Sequence, residues 1–415
     1  MNSPRESLTR AIGTFGLAAG IINITIGGGI FTLPASVASR LGAAAPIAYV
    51  VCAIAMGLIV ICIADAGKRV TLTGGPYAYV GTAFGPYAGF LSGVLLWMLG
   101  TFATAAVSTL FASSVGLLVP ALSGWLATTT MLVVAYLFWS LINLRGVTLG
   151  VQLNTIATVA KLFPLILIAA AGAFFVRGEN LQIAAVPAAA DIARTSLILI
   201  FAFAGIESAL IPSGEVRDVE RTVPRAIALA MLGITALYIT LQVVAQGILG
   251  SALAQATVSP LADAAGASLG PWARSLLLAG ASISMFGYLG GMTLSMPRIV
   301  YALARDGFLP RALANVDPVH RVPQAAIVAQ VILTLALAIT GTFEQLAIFA
   351  NVSALALYLG CALASWKLGQ RAFVPLLACA VIAWLFTGLT LNEWLGFAAC
   401  LVVASVVYIG ARSRI

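Results

Sequence analysis

Two ionisable residues of this chain lie in stretches that are otherwise mostly apolar or small. Glu207 falls in the stretch 197–211, and Lys161 falls in the stretch 154–164. A charged side chain costs free energy at the depth of the hydrocarbon core of a membrane, and residues of this kind mark substrate, ion or proton sites. The two residues are therefore candidates for coupling the movement of a solute to the movement of a charge.

Two roles are open for Lys161. It lies about ten residues, or ~15 Å, from the start of its apolar segment, too far for its ammonium to reach the near surface. It could release and recover a proton during a transport cycle, or it could stay charged and support a nearby helix break through hydrogen bonds. Glu207 could likewise bind a proton or hold neutral hydrogen-bond partners.

The first apolar segment is interrupted by three glycines, Gly27, Gly28 and Gly29, which Pro34 follows. Backbone groups freed at this depth are tolerated only inside the protein or beside a wet cavity, and glycine lets a ligand approach the backbone. The half-helix that starts near Ile30 presents free N–H groups and the positive end of its dipole, which suits a carboxylate. The alternative is that these glycines only allow close helix packing.

The sixth apolar segment has a similar interruption, marked by Gly205 and Pro212. The half-helix that ends near Phe203 or Ala204 presents free carbonyls, which suit an ammonium group. Together the two breaks can hold the α-carboxylate and the α-amino group of a zwitterion. Interrupted helices at matched places in the two halves of a chain are typical of secondary transporters.

The elements that position these residues are predicted to be membrane-spanning helices. The chain is 61% hydrophobic and 8% charged, whereas soluble domains are about 25% charged. The predicted fold is an all-α integral membrane protein that forms a single transporter domain over residues 1–415. Apolar runs long enough to cross ~30 Å of hydrocarbon predict about twelve spans, at residues 11–39, 43–66, 86–119, 125–144, 150–176, 193–213, 224–250, 272–303, 324–341, 343–366, 372–390 and 391–411.

The first ten spans fall into two sets of five, residues 11–176 and residues 193–366, and each set begins with an interrupted helix. Because five is odd, the second set must insert upside down relative to the first, which gives an inverted repeat. The last two spans, within residues 372–411, are predicted to be accessory helices outside the repeat.

The net charge of +8 is divided unequally between the two sides of the membrane. Of the 21 Lys and Arg residues, 16 fall in loops on one side and 4 in loops on the other, which leaves Lys161 inside the membrane. The positive-inside rule then places both termini in the cytoplasm, with the protein in the inner (cytoplasmic) membrane of the cell. This placement also argues against nucleic acid as a partner.

Few residues are available for enzymatic chemistry. His320 is the only histidine, and the five cysteines fall inside predicted spans. Most metal sites and an intramembrane Ser/His dyad are thereby excluded, so we expect neither an enzyme nor a cofactor. A channel is disfavoured because few spans are polar enough to line a continuous pore.

Four stretches of the sequence resemble, in order, signatures of the amino acid–polyamine–organocation transporter superfamily. They are Ile26-Gly-Gly-Gly-Ile-Phe-Thr-Leu-Pro-Ala35, Thr73-Gly-Gly-Pro-Tyr-Ala-Tyr79 with Phe84-Gly-Pro86, Phe201-Ala-Phe-Ala-Gly-Ile-Glu207 with Glu215 and Pro224, and Arg298 with Arg305-Asp-Gly-Phe-Leu-Pro310. The resemblance covers nearly the whole chain. It implies the five-plus-five inverted-repeat fold and an amino acid permease.

The resemblance also implies which backbone groups at the two breaks bind each end of the substrate. First-span amides, here those of Gly28 and Gly29, would hold the substrate carboxylate, and carbonyls matching Thr25, Phe201 and Ala204 would hold its amino group. Phe201 matches an aromatic residue that closes over the substrate. Gly28 stands where relatives usually have Ser or Thr, so one hydroxyl contact to the carboxylate is missing here.

Three further positions bear on the substrate and the coupling ion. The arginine/agmatine exchangers of the superfamily hold a guanidinium with Trp in span eight and Asn in span three, and the matching positions here are Met292 and Thr104. This implies a neutral substrate. Lys161 matches a fifth-span lysine whose ammonium, in proton-dependent or ion-independent members, occupies the place of the ion in sodium-coupled relatives. Sodium coupling is therefore not expected.

The sequence thus predicts a permease that moves a neutral α-amino acid across the lipid bilayer by alternating access, coupled to protons. Two alternatives are an amino acid exchanger without ion coupling and a membrane sensor that binds the amino acid without moving it. The oligomeric state is left open.

Overall fold

The computed structural model describes residues 13–70, 76–145, 161–183, 185–205, 218–317, 322–369 and 371–412. Within these ranges the chain forms fifteen α-helices joined by short 3-10 turns, and no β-strand. This confirms the predicted all-α membrane fold. The helices are α1 (Thr14–Thr25), α2 (Gly29–Leu41), α3 (Pro46–Arg69), α4 (Pro76–Phe84), α5 (Pro86–Leu118), α6 (Trp125–Arg145), α7 (Lys161–Phe175), α8 (Ala189–Phe203), α9 (Val219–Leu249), α10 (Pro260–Leu269), α11 (Pro271–Arg305), α12 (Gln324–Thr340), α13 (Phe343–Lys367), α14 (Phe373–Phe386) and α15 (Leu391–Arg412).

Seven helices of the described ranges are long and apolar enough to cross a bilayer, namely α3, α5, α6, α9, α11, α13 and α15. Three shorter apolar helices, α7, α12 and α14, fall in the fifth, ninth and eleventh predicted spans. The first predicted span corresponds to α1 and α2 together, and the sixth begins with α8. The chain order of the helices therefore agrees with the predicted order of spans.

Two helices, α4 and α10, lie between the predicted spans. They have 9 and 10 residues, too few to cross the hydrocarbon core. Each is followed by a Gly-Pro pair, with Gly85 at φ 94° after α4 and Gly270 at φ 97° after α10. Glycine adopts this left-handed conformation without strain, and proline is well suited to the first turn of the following helix. The two short helices therefore pack back against α5 and α11.

Helix α5 lies at the centre of the packing and contacts α4, α11, α12 and α13. A Cβ atom at Gly100 of α5 would collide with Sδ of Met296 in α11. Small residues let membrane helices approach closely in this way. Gly100 therefore fixes how near α5 and α11 can lie, and these two helices flank the first helix break.

The turn between α14 and α15 is attached to the start of α8 by a bidentate ion pair. Arg194 donates to both carboxylate oxygens of Glu393 at 2.7 and 2.8 Å, and to the carbonyl oxygen of Gly388 at 3.1 Å. Paired geometry of this kind is stronger and more directional than a single contact. The two predicted accessory helices are therefore joined to the half-helix that carries Phe201.

Candidate functional site

The first membrane segment is interrupted between α1 and α2, where the sequence predicts a break. α1 ends at Thr25, and Ile26 leaves the helical conformation with φ −72° and ψ 84°. Gly27 donates its N–H to the carbonyl oxygen of Thr25 at 2.8 Å, which closes a three-residue turn. α2 then starts at Gly29, after Gly28. The break is therefore a short turn between two half-helices.

The N-terminus of α2 is buried and lacks a side-chain cap. Gly28 and Gly29 are both buried, and their N–H groups have no hydrogen-bond acceptor within the part of the chain that the structure describes. A buried helix end of this kind calls for water or a ligand as its partner. The free N–H groups and the helix dipole favour an anion. This end of α2 is suited to a carboxylate.

The C-terminal end of α8 lies directly against this break. A Cβ atom on Gly29 would be 3.0 Å from Cδ1 of Phe201 and 3.4 Å from Cα of Ala202. α8 ends at Phe203, and Ala204 turns out of the helix with ψ 149°. The last carbonyls of a helix carry the negative end of its dipole, which suits an ammonium group. The fold thus places two backbone ends of opposite polarity side by side.

Tyr238 of α9 joins the two breaks. Its hydroxyl oxygen is 2.9 Å from the carbonyl oxygen of Ala202 and 3.3 Å from that of Thr25. The side chain is 0% exposed, and its ring packs edge-on against Phe203 with 5.3 Å between the ring centroids. Because one O–H is shared between the last turns of α1 and α8, Tyr238 fixes the two helix ends relative to each other.

Two buried side-chain amides form hydrogen bonds to the backbone of the half-helices α2 and α8. Gln242 of α9 donates to the carbonyl oxygen of Pro34 in α2 at 3.4 Å. Asn351 of α13 donates to the carbonyl oxygens of Leu197 and Ile198 in α8 at 2.8 and 3.1 Å. Both amides are 0% exposed. Buried polar groups with partners specify position as well as stability, so these contacts position α2 and α8 at the breaks.

Phe201 contacts the break and also the start of α13. Its ring packs edge-on against the ring of Phe343, with 5.6 Å between the centroids. The residue after Phe343, Glu344, is 3.8 Å from Arg40 near the end of α2. Phe201 is therefore placed to cover a ligand at Gly29 from the side where α2 ends and α13 begins.

Apolar side chains surround Gly28. A Cβ atom there would lie 3.5 Å from Met285 of α11 and 3.6 Å from Leu110 of α5. Behind Met285, the ring of Phe286 packs against Phe111 and Trp139, with centroids 5.7 and 5.2 Å apart. The structure thus provides an apolar environment on this side of the break.

Thr104 and Met292 come together in one cavity. Both line a small cavity between α5, α6, α11 and α12, together with Tyr136, Thr293, Met296, Gln330, Val331 and Thr334. Met292 follows Met285 by seven residues, which is ~10 Å along α11. Neither Thr104 nor Met292 is among the atoms nearest to Gly28. The side chains next to the break are those of Met285, Leu110 and Phe201.

The structure describes one of the two coupling candidates, Lys161, and does not describe the other, Glu207. Lys161 is 7% exposed and starts the described part of α7, so its predicted burial agrees with the structure. Glu207 and the rest of the sixth predicted span, residues 206–213, lie outside the described residues. The coupling roles of both residues stay predictions.

Tyr238→Phe is expected to weaken substrate binding without unfolding the protein. The change removes the O–H that the carbonyls of Ala202 and Thr25 share, while the ring stays packed. We expect a loss of apparent affinity of about five- to ten-fold, because one buried hydrogen bond contributes ~1–1.5 kcal/mol. The measurement is amino acid binding to the purified variant, with the thermal unfolding midpoint recorded alongside.

Tyr87→Phe is the control for this experiment. The Tyr87 hydroxyl forms a hydrogen bond of 2.8 Å with the hydroxyl of Ser405 in α15 instead of with a carbonyl at a break. If both variants lose affinity equally, Tyr238 serves only general packing and the assigned positioning role is wrong.

The described helices define a multi-pass membrane protein, and an interrupted first helix of this kind is typical of secondary transporters. The chain belongs to the amino acid permease family, which matches residues 12–410. It is 29% identical over 361 residues to the serine/threonine exchanger SteT of Bacillus subtilis (strain 168), an alignment that covers 83% of this chain and 80% of that protein.

Two mycobacterial relatives are similar to this chain over comparable lengths. An uncharacterized transporter of Mycobacterium tuberculosis (strain CDC 1551 / Oshkosh) is 28% identical over 357 residues, which cover 78% of this chain and 73% of that protein. An uncharacterized transporter of Mycobacterium bovis (strain ATCC BAA-935 / AF2122/97) is 27% identical over 354 residues, with the same coverage. The family and these relatives confirm the resemblance drawn from the motifs and support amino acid transport.

Proposed function

We propose that this protein moves a small or medium-sized neutral α-amino acid, such as alanine, serine, threonine or a branched aliphatic residue, by alternating access. The observation that carries the proposal is the contact between the uncapped N-terminus of α2 and the C-terminal end of α8 at Gly29 and Phe201. The amides of Gly28 and Gly29 would hold the α-carboxylate. The carbonyls of Thr25, Phe201 and Ala204 would hold the α-ammonium.

The surroundings of the break support a neutral side chain on the substrate. Met285 and Leu110 are the side chains nearest to Gly28, and Phe201 covers Gly29. No carboxylate is among these contacts within the described residues, and the cavity with Thr104 and Met292 also has no charged lining residue. A cationic side chain would be left buried without a partner, which is unfavourable. An aliphatic or hydroxylated side chain has no charge that would need such a partner.

Coupling to protons is the first candidate mechanism, and exchange is the second. The burial of Lys161, which is 7% exposed, supports proton coupling. Glu207 is the second candidate for binding a proton. The Bacillus subtilis relative is a serine/threonine exchanger, which favours the second mechanism. The two mechanisms differ in one observable, because only a proton symporter accumulates substrate when a pH gradient is imposed across otherwise empty vesicles.

We further propose the topology that the distribution of basic residues predicts. Both termini would face the cytoplasm of a cell whose inner membrane holds the protein. Residues 11–176 and 193–366 would form the two inverted halves, and residues 372–411 the accessory pair. Single cysteines introduced at Arg177 and at Arg311 would test this topology. A thiol reagent added to one side of the membrane should label only one of the two variants, because the two positions should face opposite sides.

An uptake screen in proteoliposomes is expected to separate neutral from cationic substrates. Alanine, serine and threonine should compete with labelled substrate, whereas arginine and agmatine in ten-fold excess should leave its uptake nearly unchanged. Sodium should have no effect. Protein-free liposomes provide the background. Strong competition by arginine would contradict the neutral substrate, while uptake of no amino acid at all, with binding retained, would favour the sensor.

A further inference from the structure

Helix α15 is attached to other helices near both of its ends. Near its start, both carboxylate oxygens of Glu393 accept hydrogen bonds from Arg194, at the start of α8, at 2.7 and 2.8 Å. Near its end, the ring of Tyr408 packs among aromatic rings of α5 and of the turn after α11. Glu393 and Tyr408 are fifteen residues apart, which is ~22 Å along the helix. One helix therefore joins two separate parts of the fold.

The first attachment, between Arg194 and Glu393, is largely removed from water. The two side chains are 16% and 15% exposed. In the ion pair between Arg274 and Asp263, at the start of α11, the side chains are 37% and 34% exposed. Exposed ion pairs are weak, whereas removal of one member of a buried pair is costly. Glu393 also accepts the N–H of Thr390 at 2.8 Å, so its carboxylate is fixed to the first turn of α15.

The second attachment is an aromatic cluster formed by Tyr87 and Phe90 of α5, Phe308 after α11, and Tyr408 of α15. Between centroids, the ring of Tyr408 lies 5.0, 5.3 and 5.6 Å from the other three rings, in the order given. Ring pairs at such distances attract each other beyond the burial of their area. Phe308 is fixed to the end of α11, because its N–H donates to the carbonyl oxygen of Leu303 at 2.9 Å. The end of α15 is therefore joined to both α5 and α11.

The candidate substrate site lies between the two parts that α15 joins. Phe201 of α8 contacts Gly29 on one side. Leu110 of α5 and Met285 of α11 lie next to Gly28 on the other. In alternating access, groups of helices around a fixed site move relative to each other. A helix that is attached to both groups limits how far they can separate.

A simpler explanation is that each attachment only stabilises its own surroundings. Glu393 would then serve as part of the N-terminal cap of α15, and the aromatic rings would only bury apolar area. Under this explanation the two attachments are independent, because distant sites without shared partners have additive effects. If α15 transmits a restraint from one attachment to the other, release of either end removes the whole restraint. The two explanations therefore differ in whether the effects add.

We propose that α15 restrains the movement of α8 relative to α5 and α11, and that Arg194, Glu393 and Tyr408 are positioning residues for transport. This role rests on the proposed function, since α15 restrains a transport movement only if the protein transports. With both attachments intact, the start of α8 stays at the distance from α11 at which the site closes. Loss of either attachment lets α8 move away, so closure is slower while the groups that contact the substrate remain.

The maximal rate of serine uptake in proteoliposomes tests this proposal, with serine affinity measured by calorimetry on the same full-length proteins. Glu393→Gln and Tyr408→Ala should each lower the maximal rate about ten-fold, the factor that corresponds to one hydrogen bond to a charged group. The affinity should be nearly unchanged. The double variant should also lose about ten-fold, whereas independent sites would lose about 100-fold.

Three variants serve as controls. Asp263→Asn removes an ion pair outside both attachments and should transport at the wild-type rate. Tyr408→Phe keeps the ring and should do the same. Arg194→Lys keeps the charge without the planar fork, so it should retain more transport than Glu393→Gln. Thermal midpoints report folding, and Arg194→Lys replaces Glu393→Gln in the double variant if the latter does not fold.

A distance measurement separates failure of this inference from failure of the proposed function. Spin labels on cysteines introduced at Ala190 in α8 and Ser275 in α11, both exposed, report the separation of these helices without transport, in a background that lacks the five native cysteines. We expect longer and broader distances in Glu393→Gln and Tyr408→Ala than in the wild type.

Three results would overturn the restraint. They are unchanged distances in both folded single variants, wild-type transport rates in both, and a loss in the double variant that equals the product of the two single losses. Absence of amino acid uptake by the wild type would instead overturn the proposed function, and the distances would then decide whether α15 restrains α8.

Discussion

Gly28→Leu is expected to abolish substrate binding while the protein still inserts and folds. The site for the carboxylate lies at the backbone of Gly28 and Gly29, and the side chains around Gly28 leave little room, with Met285 3.5 Å and Leu110 3.6 Å from a Cβ atom. A leucine side chain would have to displace these residues or occupy the space of the ligand. Loss of two charge-assisted hydrogen bonds, at ~1.5–3 kcal/mol each, would lower the affinity by at least about 100-fold.

Two variants serve as controls for this result. Gly20→Leu adds the same side chain to α1, where a Cβ atom has no neighbour within 4 Å, and should bind substrate normally. Gly28→Ala adds a single carbon at ordinary contact distances and should retain partial binding. Binding is measured on the purified proteins by calorimetry, and the oligomer profile and thermal midpoint report folding. Wild-type affinity in a folded Gly28→Leu protein would refute the assigned carboxylate site.

Lys161→Ala is expected to eliminate accumulation of substrate driven by a pH gradient. Lys161 is 7% exposed in a chain whose other basic residues fall in loops or near the ends of predicted spans. If its ammonium takes the place of a coupling ion, its removal takes away the group that links proton movement to the first helix break. The measurement is substrate-dependent proton flux into liposomes, with and without an acid-outside gradient.

Lys161→Arg and Lys367→Ala are the matched controls. Arginine keeps the charge but holds its proton at every physiological pH, so a fixed-cation role would survive this change and proton coupling would not. Lys367 lies at the end of α13, 4.8 Å above the ring of Phe84, and its removal should leave coupling intact. Equal proton flux in the wild type and Lys161→Ala would reject the coupling role. Stimulation of wild-type transport by sodium would reject the hypothesis that the Lys161 ammonium takes the place of a coupling ion.

The first helix break could be predicted because its signal is local. Three consecutive glycines and a proline stand out in an apolar segment, and the structure ends α1 and starts α2 on either side of Gly27 and Gly28. The order of apolar spans is equally local, since it depends on runs of about 20 residues. The short helices α4 and α10 have no such run, so they were not among the predicted spans.

The side chains that complete the site could not be predicted from the sequence alone. Tyr238 contacts Thr25 across 213 residues of sequence, and nothing in its own apolar span distinguishes it from a lipid-facing tyrosine. Met285 and Leu110 are ordinary apolar residues whose importance follows only from the packing of α11 and α5 around Gly28. Thr104 and Met292 were selected by resemblance, and the structure places them together in one cavity.

The central claim is that the two helix ends bind the α-carboxylate and the α-ammonium of the same amino acid. Competition for serine uptake in proteoliposomes tests it most directly, with L-serine, L-serine methyl ester and N-acetyl-L-serine as competitors. The ester lacks the carboxylate and the acetyl derivative lacks the ammonium, while both keep the side chain. We expect L-serine to compete fully and both derivatives to lose at least about 100-fold in potency, as removal of charge-assisted hydrogen bonds requires. Full competition by either derivative would show that the corresponding helix end does not bind the substrate.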